Sequence, residues 1–409
     1  MVRKMLNPTV TASVIVILYA IMPILSVAIS RFITTYAYMI LCVVLFAFIM
    51  LTGGIERLSA LIYILAPAGF YVFFTFITGN QSVTILGYQG LLFLLPLAIG
   101  YYFLYYRDDT IPLFSKIIVF AIVITAITTI IGTIRFPEAS RILATIAESE
   151  NPESIKYSWN NIGGYEFVYT CVLLYPVLIL AYKQRKVSRV TFLILFLLLL
   201  TLIIFAEYTI ALLLFMITSI LFFVDKKATA SQLLITGIVI SAIFFLFQPT
   251  FEKFFLWLAD IFDSEVFNER LIALAGGVNG IENSESNRIE LYNMSINAFI
   301  KNPVFGNIFN RSFVGGGHSF ILDCLANYGI LGGGAILLIY RNVYRNFFAP
   351  FKNEQGYAFV IWTFVQAIVL SIVNTNLWLS VLAFFAPVLF SAIYDRYESD
   401  NYYEDSLGY

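Results

Sequence analysis

Val190–Val224 reads VTFLILFLLLLTLIIFAEYTIALLLFMITSILFFV, an apolar run broken only by Glu207-Tyr208-Thr209 near its middle. As one helix at 1.5 Å per residue it would extend roughly 50 Å, far beyond a hydrocarbon core of roughly 30 Å. It would also set the cluster Lys183-Gln184-Arg185-Lys186 and the pair Lys226-Lys227 on opposite sides of a bilayer. Two shorter helices turning at Glu207 put both clusters on the cytoplasmic face, where Lys and Arg concentrate. The run therefore predicts a membrane hairpin with Glu207 at its outer tip.

The rest of the chain is written in the same way. It is 60% hydrophobic, 17% aromatic and 12% charged, with a mean hydropathy of +0.87. No soluble core needs that much apolar surface, whereas repeated apolar runs of about twenty residues are what a bilayer demands. The expected fold is an all-α, polytopic integral membrane protein, a single membrane domain over residues 1–409. Arg3 and Lys4 precede an apolar segment at about Thr9–Ile29, which is long enough for a retained signal anchor rather than a cleaved signal peptide. Further spans are expected at about Ile33–Leu51, Leu58–Ile77, Val83–Tyr106, Leu113–Ile134 and Ile162–Tyr182. After the hairpin they continue at about Gln232–Phe247, His318–Tyr340, Tyr357–Val373 and Trp378–Ile393. About twelve spans result, with both termini and an acidic, aromatic tail at 394–409 in the cytoplasm.

The net charge of −1 points to no nucleic-acid partner. Cys42, Cys171 and Cys324 each fall inside an apolar run and read as buried small residues rather than as a disulfide or metal set.

Two polar stretches, 135–161 and 248–317, fall on the outer side, and they are rich in arginine. Arg31, Arg135, Arg141, Arg270, Arg288 and Arg311 all lie on that face, against the usual bias of membrane proteins. Basic residues held there suit an anion. Tyr157, Trp159, Tyr165, Trp257 and Tyr292 sit in or beside the same loops. They read either as an interfacial aromatic belt or as sugar-stacking platforms.

The second outer stretch ends in SNRIELYNMSINAFIKNPVFGNIFNRSFVGGGHSFILDCLANYGILGGG, Ser286–Gly334. Ile289, Tyr292, Ile296, Phe299 and Ile300 recur at helical spacing, predicting an amphipathic helix over 287–301. Asn287 is placed to cap it, with Glu290 completing a capping box, and Pro303 to stop it before a turn at Phe305-Gly306. Arg288 then falls in the first turn, where a guanidinium beside free amides makes an anion site. The plain alternative is a solvated surface charge. After the turn come Gly315, Gly316 and Gly317, then His318, the only histidine of the chain. It reads as a proton acceptor at the membrane boundary, or as an ordinary polar boundary residue. Ser319, Asp323 and Asn327 form a polar stripe along the span that follows, facing either the protein interior or a wet cavity. Gly329 and Gly332–Gly334 offer close helix packing. Nothing in the outer loops has the make-up of a metal site, and no cofactor is expected.

The run NRIELYNMSINAFIKNPVFG followed by GGGHSFILDCLANYGILGG resembles the signature region of the O-antigen polymerase and O-antigen ligase superfamily. His318 and Gly329 match that family's spacing of histidine, ten residues and glycine. The resemblance covers about fifty residues. It implies a GT-C-like glycosyltransferase that needs no metal, working on a glycan carried by undecaprenyl diphosphate in the cell membrane. Arg288 would bind the diphosphate and His318 would activate the acceptor hydroxyl. Many members carry a Ser-Arg pair between the two short helices, where this chain reads Ala206-Glu207-Tyr208. A second anion ligand would then come from Arg135, Arg141, Arg270 or Arg311, with Glu207, Tyr208 and Tyr292 completing the substrate-binding candidates. The expected activity is polymerisation of a surface polysaccharide such as O-antigen, capsule or exopolysaccharide. A ligase-type transferase and a flippase are the alternatives. The resemblance also names membrane lipid, a chain-length regulator and a flippase as partners.

Overall fold

The computed structural model describes residues 7–32, 34–52, 54–78, 83–145, 152–224, 277–310, 313 and 315–396, with isolated positions between 232 and 260. Every regular element among these residues is helical. Helices α1 to α5 are Pro8–Ile21, Pro23–Phe32, Thr34–Thr52, Gly54–Thr78 and Val83–Tyr106. Helix α6 is Ile111–Arg135, and the short α7 and α8 are Ala139–Thr145 and Pro152–Trp159. Then follow α9 (Tyr165–Lys183), α10 (Arg189–Ala206) and α11 (Thr209–Ile220). Helix α12 is Gly277–Lys301, α13 Phe320–Val343, α14 Tyr357–Val373 and α15 Ala386–Ile393.

Among the described residues four helices are long and apolar enough to cross a membrane: Asp108–Arg135, Tyr165–Lys183, Arg189–Ala206 and Phe320–Phe351. Their side chains are distributed as a bilayer requires. On α10, Val190, Leu193, Ile194 and Leu197 form one exposed stripe, and on α6 Phe120, Ile127, Ile131 and Ile134 form another. The opposite face of α6 buries Thr125, Thr129 and Thr133; the Thr129 and Thr133 hydroxyls turn back onto main-chain carbonyls, and the Thr125 hydroxyl accepts from Asn161 Nδ2 at 3.3 Å. Apolar side chains outward and small polar ones inward is the arrangement of helices packed in lipid. Helix α9 runs through the middle, with Phe167–Ala181 buried on every side except at Leu178. The three cysteines are buried and free.

The chain turns back at Glu207, which ends α10 with φ 59°. Phe192, early in α10, lies 5.5 Å from Phe222 beyond the end of α11, and Phe196 lies 5.6 Å from Phe215. Lys183 Nζ donates to the Phe222 carbonyl at 2.8 Å, so the hairpin closes beside the Lys183 end of α9. Lys226, Lys227 and almost all of the expected span at 232–247 lie outside the described residues.

Two sequence expectations are corrected. The apolar segment Thr9–Ile29 is not one straight span, because α1 and α2 meet at 114°. Pro23 lacks an N–H and drives Met22 into an extended conformation, φ −110° and ψ 104°. The Ile24 amide exposed by that break donates to Asn161 Oδ1 at 3.2 Å. The second correction concerns the amphipathic helix. It begins at Gly277 rather than at 287, so Asn287 and Glu290 lie inside a 25-residue helix and form no terminal capping box. Main-chain hydrogen bonding through the preceding polar residues outcompetes the Asn287 cap, and Arg288 loses the first-turn amides that its anion site required.

Candidate functional site

At the Glu207 end of the bundle, two loops bring together several of the residues singled out above. The first carries His318. Helix α12 passes beside the N-terminal half of α13, and Ser295 Oγ donates to Asp323 Oδ1 at 2.6 Å across the pair. The Gly316 amide donates to Ser295 Oγ at 2.9 Å, and the Gly317 and Ser319 amides donate to Asp323 Oδ2 at 3.0 and 3.3 Å. Ser319 caps α13 by accepting from the Leu322 amide at 3.1 Å. Asn327 Nδ2 closes the stripe onto the Asp323 carbonyl at 2.8 Å. The polar stripe thus faces protein. Two of the three glycines also serve packing rather than a ligand. A Cβ at Gly315 would stand 2.9 Å from Asp323 Oδ1, and one at Gly316 would stand 2.3 Å from the Leu291 carbonyl oxygen. His318 is exposed between the two amides that Asp323 holds.

Further along, α13 is broken at Gly329, where φ is 63° and ψ −153°. The turn after Pro303 fills the break. Pro303 accepts from the Ile330 amide at 2.8 Å, and the Asn307 amide reaches the Ala326 and Asn327 carbonyls at 3.1 and 3.0 Å. Gly306, with φ 59°, is the tight point of that turn.

The second loop is Asn374–Trp378. The Phe320 amide donates to the Asn374 carbonyl at 2.8 Å, and Tyr292 OH donates to the Val373 carbonyl at 3.3 Å. Tyr165 OH donates to Asn374 Oδ1, and Asn376 Nδ2 donates to Glu166 Oε1 at 2.9 Å. This loop, together with Val373 at the end of α14, therefore joins the start of α13, the middle of α12 and the start of α9. Beside it, the Tyr169 ring stands 5.7 Å from Trp378 and 6.1 Å from Tyr208, and Tyr165 stands 5.4 Å from Tyr208. Tyr208 is buried and donates to the Ser140 carbonyl at 2.7 Å, which ties the hairpin tip to α7 next to Arg141.

The sequence candidates are thus only partly assembled. Tyr208 and the His318 loop are bridged through Asn374–Trp378, Tyr292 reaches Val373 just before that loop, and Glu207 sits at the hairpin tip. Arg288 is on α12, one turn before the Leu291 carbonyl that Gly316 abuts, about 4.5 Å along the helix axis. Arg135 ends α6 and is exposed, and Arg141 lies in α7. Arg270 and Arg311 lie outside the described residues. Tyr157 is occupied otherwise: its hydroxyl donates to Glu138 Oε1 at 2.9 Å. Burial, and then that carboxylate, push its phenol up to about 12.

Sequence reasoning missed Asn374, Asn376 and Glu166. It also missed Asn161, which besides holding Ile24 donates to Thr128 Oγ1 at 2.9 Å. Its one signal was a place just before Gly163-Gly164, since asparagine is among the side chains that tolerate its φ of 54°. No family model, no curated protein and no solved structure matches this chain.

Proposed function

We propose that the protein is a membrane glycosyltransferase of the polysaccharide-polymerase kind, GT-C-like and with about twelve spans. In this reading the Glu207 end faces outward and both termini face the cytoplasm. The observation that carries the proposal is the His318 loop: the only imidazole of the chain stands exposed, and Gly316, two residues before it, abuts Leu291, three residues after Arg288 on α12. The donor is a glycan on undecaprenyl diphosphate, its polyprenyl tail among the lipids and its diphosphate at the boundary. The acceptor is a hydroxyl of a lipid-linked repeat unit. His318 takes the hydroxyl proton as the oxygen attacks the anomeric carbon, and the bond from that carbon to the diphosphate breaks. Arg288 and a second arginine receive the charge that grows on the departing undecaprenyl diphosphate.

A ligase-type transferase would share the donor half of this chemistry and differ only in its acceptor. The break at Gly329 invites a flippase or transporter reading, since transporters use interrupted helices to expose main-chain groups to cargo. Here the Ala326 and Asn327 carbonyls and the Ile330 amide are already taken by Pro303 and Asn307, which favours the transferase. The test is purified protein in lipid nanodiscs with an isotope-labelled lipid-linked repeat unit. Lengthened glycan together with released undecaprenyl diphosphate supports the proposal. An intact donor after prolonged incubation, with protein that remains folded, would remove it.

A further inference from the structure

We infer that Asp323, seconded by Ser295, is the positioning residue of the His318 loop. Both its oxygens are turned onto its own chain. Oδ2 takes the amides on either side of His318, those of Gly317 and Ser319, and Oδ1 takes the Ser295 hydroxyl. The same hydroxyl receives the Gly316 amide, so three of the main-chain N–H groups around the histidine end on this carboxylate–hydroxyl pair. Consecutive amides at a glycine-rich helix start would ordinarily suit a ligand phosphate. In this chain an internal carboxylate occupies them, which moves the ligand's anion site away from the loop backbone and onto the arginines. The pair also sets the separation of α12 from α13, because the Ser295–Asp323 bond crosses between them. Asp323 therefore acts on transfer through His318, by fixing where the imidazole starts from, and does not itself touch the reacting atoms.

Asparagine at 323 presents an amide NH₂ in place of one acceptor oxygen, so at least one loop amide then faces a donor. Losing a hydrogen bond to a charged group corresponds to roughly a 10-fold or larger increase in local opening. The first measurement is amide hydrogen exchange of the peptide spanning 315–319, on full-length protein in nanodiscs, and it needs no activity. Asp323→Asn is expected to raise exchange there about 10-fold or more, with Asp323→Glu, which keeps the carboxylate, restoring much of the protection. The second measurement is transfer, and it rests on the glycosyltransferase reading. Turnover is expected to fall about 10-fold or more while the KM for the lipid-linked donor stays within about 2-fold. Unchanged exchange at 315–319 in Asp323→Asn overturns the inference whether or not transfer falls. Faster exchange with full turnover overturns it as well. A wild-type protein without transfer would defeat the functional reading alone, because exchange still decides whether Asp323 holds the loop. If Asp323→Asn does not accumulate as folded protein, Ser295→Ala, which removes the Gly316 contact and the bond between helices, is read in the same two ways.

Discussion

Replacing Gly329 with alanine should loosen the joint between α12 and α13. Its φ of 63° and ψ of −153° lie in a region that L residues reach only under strain, at about 1–3 kcal/mol. The added Cβ would stand 2.4 Å from the Val304 carbonyl oxygen, 2.5 Å from its carbon and 2.6 Å from the Gly306 nitrogen. These are main-chain atoms that cannot rotate aside, and such overpacking costs about 1–3 kcal/mol more. Together the loss is about 2–6 kcal/mol. Relief by displacing the turn would forfeit the Ile330–Pro303 and Asn307–Asn327 hydrogen bonds, at about 1 kcal/mol each, and so brings no escape. Gly334 on the same helix is the control. A Cβ there meets no atom within 4 Å, and alanine should stabilise the helix by up to about 1 kcal/mol. Both variants can be unfolded in mixed micelles of dodecyl maltoside and SDS, followed by circular dichroism. If Gly329→Ala unfolds within about 0.5 kcal/mol of Gly334→Ala, the account of the broken helix is wrong.

Cysteines placed at Ser188 and Ala228 should both resist an impermeant thiol reagent in intact cells, because the hairpin returns its second arm to the Lys183 end; labelling of only one would refute the reversal at Glu207. Arg288→Lys keeps the charge but loses the planar fork that grips two phosphate oxygens, and should impair transfer; full activity would reduce Arg288 to a surface charge. His318→Ala should lower transfer about 10²–10⁴-fold with donor binding retained, and a fully active His318→Gln would take the imidazole out of the chemistry. Tyr157 has a folded pKa of about 12 against about 10 unfolded, so its stabilisation is complete below pH 10 and is lost as pH rises from 10 to 12. Tyr157→Phe should flatten that decline, and identical slopes in both proteins would refute the assignment.

The sequence was most informative where a periodic pattern met a physical length. The run from Val190 to Val224 is too long for one bilayer crossing and carries Glu207 at its middle, so the reversal there could be read directly. Pro303 and Gly306 announced a turn. Their partner at Gly329 did not show, because the contact joins residues that lie on separate elements and only the fold brings Val304 against it. Asn287 misled for the opposite reason. A residue that caps well in isolation is overruled when the chain before it stays helical, and α12 extends back to Gly277. Within the site, His318 and Asp323 were visible as types and spacings. That the carboxylate would grip the histidine's neighbours, and that Asn374 would tie α13 to Tyr165, depend on distances that no spacing encodes. Arg288, Arg141 and Arg135 could be named one by one, but a shared anion requires side chains from separate helices to converge, and linear order is silent on that.

The bend between α1 and α2 also has a history in time. Its Ile24 amide is satisfied by Asn161, 137 residues further along the chain. A ribosome adding about 5–20 residues per second needs roughly 7–27 s to cover that interval. Throughout it the acceptor that completes the corner has yet to be made, and the intervening helices are forming one after another. The corner is therefore finished only after α3 to α8 have been synthesised, when Asn161 arrives with α9 close behind it. A helix pair near the start of the sequence is in this sense among the later parts of the molecule to reach its final form.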